Sequence, residues 1–116
     1  MPWGCRKLLH WISDRYDNPP LYITENGCAY DDHPVDGEVN DQARIEYYAA
    51  YLAECARAME QGVDLRGYFA WSMLDNFEWA SGYGQRFGLH YVDFDTMERI
   101  PKASARWFKE QLKSNG

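Results

Sequence analysis

The chain has 116 residues, the size of one domain, and its 46% hydrophobic and 26% charged composition marks a globular chain. A net charge of −6 argues against nucleic acid as a partner, because that contact needs basic patches to displace counterions. No apolar stretch is long enough to cross a membrane, and residues 1–5 lack the charged start and apolar run of a signal peptide.

Cys5, Cys28 and Cys55 form no CxxC pair, and His10, His33 and His90 are scattered. Neither a metal site nor a cofactor is expected, and the cysteines read as reduced thiols of a cytoplasmic protein. The aromatic content is high, with five Trp and nine Tyr. It fits a large core or a sugar-stacking surface, and composition alone favours the core.

Residues 3–16 are expected to form a helix, with Leu8, Leu9, Trp11, Ile12 and Tyr16 on a broad apolar face. Asp17-Asn18-Pro19-Pro20 stops it, since the residue before a proline is pushed out of the helical region. Residues 21–24 are a short strand of β-formers that Asn26-Gly27 ends. Residues 28–39 read as a surface loop. Residues 41–61 give the clearest helix, capped by Asn40 or Asp41 and stopped by Gly62. Its apolar face carries Ile45, Tyr48, Leu52, Cys55 and Met59. A second apolar strand spans 65–71, followed by a long loop over 72–86. Residues 87–94 suggest a short strand or hairpin, and 102–113 a last helix with Ala105, Trp107, Phe108 and Leu112 mostly inward.

Strands alternating with helices imply parallel pairing through right-handed crossovers. Neither strand shows clean polar alternation, which suits strands covered on both faces. Two parallel strands cannot close a sheet, so residues 1–116 are expected to be one segment of a larger α/β barrel. The start at Met1 inside a helix-like segment agrees. Unpaired edges and apolar faces should make the isolated segment self-associate.

Two segments carry chemistry. In Tyr22-Ile23-Thr24-Glu25-Asn26-Gly27 a carboxylate sits where an apolar strand ends, the place where barrel enzymes put their active sites. Position alone leaves Glu25 open between a catalytic carboxylate and an ordinary turn residue. In residues 67–79, followed by Gly82-Tyr83 and Arg86-Phe87-Gly88, acidic and aromatic residues interleave beyond a strand end. Flat rings and acceptor carboxylates suit sugars, which offer apolar ring faces and fans of hydroxyls. Phe69 and Phe77 read as core filling. Glu78 beside Trp79 reads as a site, because charge among large aromatics is costly without a partner.

The runs TENG at residues 24–27, GYFAWSMLDNFEW at 67–79 and GYGQRFG at 82–88 resemble the family 1 glycoside hydrolases, as do Arg44-Ile45-Glu46-Tyr47 and the closing stretch from Arg99 to Phe108. The likeness covers essentially the whole chain. It implies an α/β fold, the C-terminal part of a (β/α)8 TIM barrel, with residues 21–24 on the seventh strand and 65–71 on the eighth. It carries the nucleophile role onto Glu25, and glycone binding onto Trp71, Glu78 and Trp79, with Phe87 near the sugar's C6 end. Glu78 implies an unphosphorylated sugar. Tyr51, where His is usual, and His90 depart from the family pattern as packing variants.

The implied function is part of a retaining β-glycosidase of β-glucosidase type, hydrolysing terminal β-D-glycosides by double displacement. Retention needs two carboxylates roughly 5 Å apart. The family's acid/base lies in an Asn-Glu-Pro motif that this sequence lacks. The chain alone is therefore expected to be inactive, with the remainder of the barrel and a small β-glycoside as partners. The alternatives are a non-catalytic carbohydrate-binding module or a structural partial barrel. The sequence does not separate glucose, galactose and fucose.

Overall fold

The computed structural model describes residues 1–115. In chain order the elements are α1 (Pro2–Arg15), β1 (Leu21–Asn26), α2 (Gln42–Glu60), β2 (Leu65–Ala70), a short 3-10 turn (Trp79–Ser81), β3 (His90–Val92), β4 (Arg99–Pro101) and α3 (Ala103–Asn115). They form two compact units. Residues 1–26 and 46–69 make the first, and residues 27–45 with those from Ala70 on make the second.

In the first unit Pro2 opens α1, where its missing N–H costs nothing and its fixed φ suits a helix. The helix ends one step before the prolines predict. Asp17 and Asn18 take left-handed backbone angles, at φ 60° and 50°. Ser13 Oγ then donates to Asn18 Oδ1 at 2.7 Å, and Asn18 N–H donates to the Ser13 carbonyl at 2.7 Å. Short polar side chains tolerate that region and bond locally, so the turn is set by Asp-Asn chemistry before proline acts.

The core of this unit is Leu9, Cys55, Ala58, Val63 and Leu65, with Cys5, Leu21, Ile23 and Tyr68 packed against it. Strands β1 and β2 are neighbours in one two-stranded sheet, joined through α2 as a crossover unit. Gly67 of β2 lies against the Tyr22 ring of β1. A Cβ there would lie 2.5 Å from Cδ1 of the Tyr22 ring.

Burial corrects several sequence expectations. Within this chain one face of the strand pair is left open, since Tyr22 and Phe69 are each 58% exposed. On α1 the broad apolar arc is wider than the core it meets. Leu9 is buried, whereas Leu8, Trp11 and Tyr16 are exposed. On α2 the buried set is Arg44, Tyr48, Glu54, Cys55 and Ala58, and Met59 is exposed. Glu54 can sit there because Arg6 donates to it at 2.7 Å and Arg57 at 2.6 Å. On α3 Leu112 is exposed rather than inward.

In the second unit β3 and β4 pair antiparallel, with His90 opposite Pro101, Tyr91 opposite Ile100 and Val92 opposite Arg99. Of the short strand or hairpin expected at 87–94, the structure forms one strand, β3, and pairs it with the later segment 99–101. The turn between them is tied by Asp93, whose carboxylate accepts the N–H groups of Asp95 and Thr96 at 2.9 and 3.1 Å. Those bonds hold its pKa below the usual carboxylate range.

This unit has few buried apolar side chains and is held by charge. Lys102 Nζ donates to Asp32 at 2.6 Å and to Asp75 at 2.9 Å. Arg44 donates to Asp32 at 2.7 Å, to Asp41, and to the Arg86 carbonyl at 2.8 Å. Arg86 donates to Asp75 at 2.7 Å and to the Val92 carbonyl at 2.9 Å. Three cations meet three aspartates, so the cluster is neutral. Asp41 also accepts the Ser104 N–H at 2.8 Å, an anion at the positive end of α3. Burial pulls the Arg44 guanidinium down, and its hydrogen bonds to Asp32 and Asp41 outweigh that and hold its pKa above the usual value.

Candidate functional site

Glu25 is the penultimate residue of β1 and is exposed. The strand exists because Leu21 and Ile23 pack on the helical core, which carries the carboxylate to the strand's C-terminal end. Among the described residues no hydrogen bond or ion pair reaches the Glu25 side chain. A carboxylate at the C-terminal end of a strand can act as a nucleophile or a base. Glu25 lies in the first unit, and Trp71, Glu78, Trp79 and Phe87 lie in the second.

The structure brings Trp71 and Glu78 together. Trp71 Nε1–H donates to Glu78 Oε1 at 3.1 Å, across seven positions of sequence. The loop between them folds back because Ser72 is buried and busy. Its hydroxyl donates to the Leu74 carbonyl at 2.8 Å and accepts from Asn76 Nδ2 at 2.9 Å. The Trp71–Ser72 peptide is cis. Glu78 N–H donates to the Gly82 carbonyl at 2.7 Å, which closes the turn over Trp79.

Trp79 is 86% exposed, at φ 43°. A bulky residue in the left-handed region costs on the order of 1–3 kcal/mol and persists only where the surroundings impose it. Here the following Gly82, at φ 59°, and the Glu78–Gly82 bond impose it. Phe87 is half-buried, and its carbonyl accepts the Ser72 N–H at 3.1 Å, so its backbone is fixed to the residue after Trp71.

Sequence reasoning missed what supports this loop. Asp75 is buried among Lys102, Arg86, the Gly88 N–H at 2.9 Å and the Val92 N–H at 3.3 Å. Gly88 must lack a side chain, because a Cβ would fall 2.2 Å from Asp75 N and 2.5 Å from the Leu74 carbonyl carbon. The signal was present in LDNFEW and GYGQRFG, but only as loop charge and loop glycine. The same loop lines a pocket of about 400 Å³, with Phe77, Tyr83, Phe94, Met97 and Arg99 among its walls. Phe77 meets Tyr83 edge-on at 5.4 Å, and Tyr83 meets Phe94 at 4.5 Å. None of Trp71, Glu78, Trp79 and Phe87 lines that pocket. Among the described residues, no group of three His, Cys, Asp or Glu could hold a metal ion.

Comparison with known proteins gives one consistent answer. The family model described as Glycosyl hydrolase family 1 matches residues 1–116. Beta-glucosidase 4 of Oryza sativa subsp. japonica is 52% identical over 119 residues, covering 99% of this chain and 25% of that protein. Beta-glucosidase A of Thermotoga maritima is 48% identical over 117 residues, covering 100% of this chain and 26% of its own length. Among solved structures, the AHE enzyme from Alicyclobacillus herbarius superposes with a TM-score of 0.98 at 46% identity, over 100% of this chain and 26% of that one. A Thermotoga maritima family 1 glycoside hydrolase, complexed with a cyclophellitol analogue transition state mimic, gives 0.96 at 48% identity with the same coverage. The chain spans about a quarter of the length of these relatives.

Proposed function

Because the chain belongs to glycosyl hydrolase family 1 and its fold is part of a (β/α)8 barrel, we propose that it is the C-terminal portion of a retaining β-glycosidase acting on unphosphorylated β-D-glucosides and related glycosides. The observation that carries this reading is Glu25, an exposed carboxylate at the C-terminal end of a barrel strand.

In this mechanism the ionised Glu25 attacks the anomeric carbon. The glycosidic bond breaks, and its oxygen leaves with a proton from a second carboxylic acid. That acid lies outside these 116 residues. The product is a glycosyl ester on Glu25. Water, giving its proton to the same second carboxylate, then opens the ester and returns Glu25 to its starting state with overall retention. Trp71 and Trp79 offer ring faces to the sugar, and Phe87 borders its C6 end. Glu78, oriented by the Trp71 N–H, accepts hydrogen bonds from two neighbouring hydroxyls and disfavours a phosphate there by charge.

The chain alone is inactive in this proposal, because one of the two carboxylates is missing. The exposed Leu8, Trp11, Tyr22 and Phe69 support docking against the rest of the barrel, or self-association in its absence. A monomer by light scattering, or turnover of an aryl β-glucoside by the isolated chain, would overturn these two statements. The three free thiols support a reducing compartment, the cytoplasm. Secretion of the complete protein would contradict that.

The test of mechanism is a graft. These residues replace the matching segment of beta-glucosidase A of Thermotoga maritima, which is 48% identical to them. A 2-deoxy-2-fluoro-β-glucoside with a good leaving group should label Glu25, located by peptide mass mapping. Glu25→Ala should lower turnover by about 10⁴-fold or more, and azide should restore it with inverted configuration. A label on another carboxylate would reject the assignment.

A further inference from the structure

The Glu25 carboxylate is held by no side chain among the described residues, so within this chain its direction depends on the backbone at the end of β1. That end is tied down in an unusual way. Asn26 is the last residue of β1 and directly follows Glu25, and its Oδ1 accepts the hydroxyl proton of Tyr68 on β2. Tyr68 is anchored in turn. It packs against the cluster of Leu9, Cys55, Ala58, Val63 and Leu65. Gly67, just before it, leaves room for the ring of Tyr22 on β1. A rigid path therefore runs from the helical core through the Tyr68 ring to the residue beside Glu25.

We infer that Tyr68 is a positioning residue for the nucleophile, holding Asn26 and with it the strand end from which Glu25 projects. The inference rests on the assignment of Glu25 made above. Burial, then the nearby Tyr48 and Tyr47, push the Tyr68 hydroxyl well above the usual phenol range. It remains a donor at any working pH, and the bond to Asn26 does not switch. The tether is made by the residue next to the reacting carboxylate, and an error of about 1 Å in a reacting atom costs about 100-fold in rate.

The experiment uses the grafted, complete barrel. Tyr68→Phe keeps the ring in the core and removes the donor. The rate of glycosyl-ester formation, measured at saturating 2-deoxy-2-fluoro-β-glucoside, should fall about 10- to 100-fold. Steady-state kcat should fall with it, and KM should stay within about threefold, the pattern of an interaction that matters in the transition state and not in ground-state binding. Asn26→Ala should give the same loss, and the double variant no further loss, because both break one tether. Circular dichroism checks that each variant is folded. An unchanged rate of ester formation in Tyr68→Phe, a change confined to KM, or losses that add in the double variant would overturn the inference. The parent graft separates this from the reading beneath it. If its label is not on Glu25, the nucleophile assignment has failed; if it is and Tyr68→Phe reacts normally, only the positioning role has failed.

Discussion

The two units of this chain solve the same problem with different chemistry. The first buries Leu9, Cys55, Ala58, Val63 and Leu65 between two helices and a strand pair. The second buries Asp32, Asp41, Arg44, Asp75 and Lys102 and has little apolar material to spare. The first is built from regular elements, whose backbone bonds are satisfied internally and whose side chains are free to be apolar. The second is mostly loop. Its backbone donors and acceptors need partners that are not in ladders, and charged side chains supply them: Asp75 takes the N–H groups of Gly88 and Val92, Arg86 the Val92 carbonyl, and Arg44 the Arg86 carbonyl. Apolar packing builds the platform for Glu25, and an ion network builds the loop that carries Glu78.

This contrast can be broken experimentally. The largest stability effect is expected at Lys102. Lys102→Met in the complete barrel leaves Asp32 and Asp75 buried without their shared cation, and should cost about 3–5 kcal/mol in urea unfolding, the scale for breaking a buried ion pair from one side. Adding Asp32→Asn should recover part of it. A loss below about 1 kcal/mol would mean that water reaches the network and screens it.

Leu9→Ala tests the other unit. It removes a side chain that is 5% exposed and opens a cavity, so about 2–4 kcal/mol should be lost. Leu112→Ala, at 71% exposure, should stay within about 0.5 kcal/mol. Equal losses at Leu9 and Leu112 would show that the helix faces are misassigned.

A smaller effect should appear with pH at Glu54, a buried carboxylate that Arg6 of α1 reaches from across the apolar unit's helical interface. The Arg6 hydrogen bond lowers its pKa first of all, burial opposes that, and Arg57 adds to the lowering. A depressed carboxylate contributes stability that is complete above its unfolded pKa, near 4.5, and is lost as pH falls through the lower folded value. The gap in stability between the parent and Glu54→Gln should thus be constant at neutral pH and shrink below pH 4.5. A gap that grows on acidification would reverse the sign and remove Arg6 as the cause.

Alkylation gives a last, milder contrast. Burial and then the neighbouring Cys5 raise the Cys55 thiol to about 12, so iodoacetamide at pH 8 should leave it unmodified in the folded protein. Rapid labelling of Cys55 would show that the first unit opens.

What the sequence determined by itself was local or written in long motifs. The 3.6-residue spacing of Leu9, Ile12, Tyr48 and Cys55 is enough to draw α1 and α2, and the apolar runs at Leu21 and Leu65 are enough to draw β1 and β2. The family follows from residues 24–27, 67–79 and 82–88, with the candidate nucleophile inside the first of them. Which apolar residues are covered could not be read the same way. Leu8 and Leu9 are adjacent and chemically alike, and only the position of α2 makes one buried and the other exposed. The ion network was equally out of reach, because it joins Asp32 to Lys102 across 70 positions. A charge in a loop looks solvated until the chain brings its partner to it. The same holds for Tyr68 and Asn26, 42 positions apart, whose bond exists because tertiary packing sets two strands side by side. Periodicity and motif are properties of neighbours in the chain. Burial and pairing are properties of neighbours in space, and folding alone supplies those.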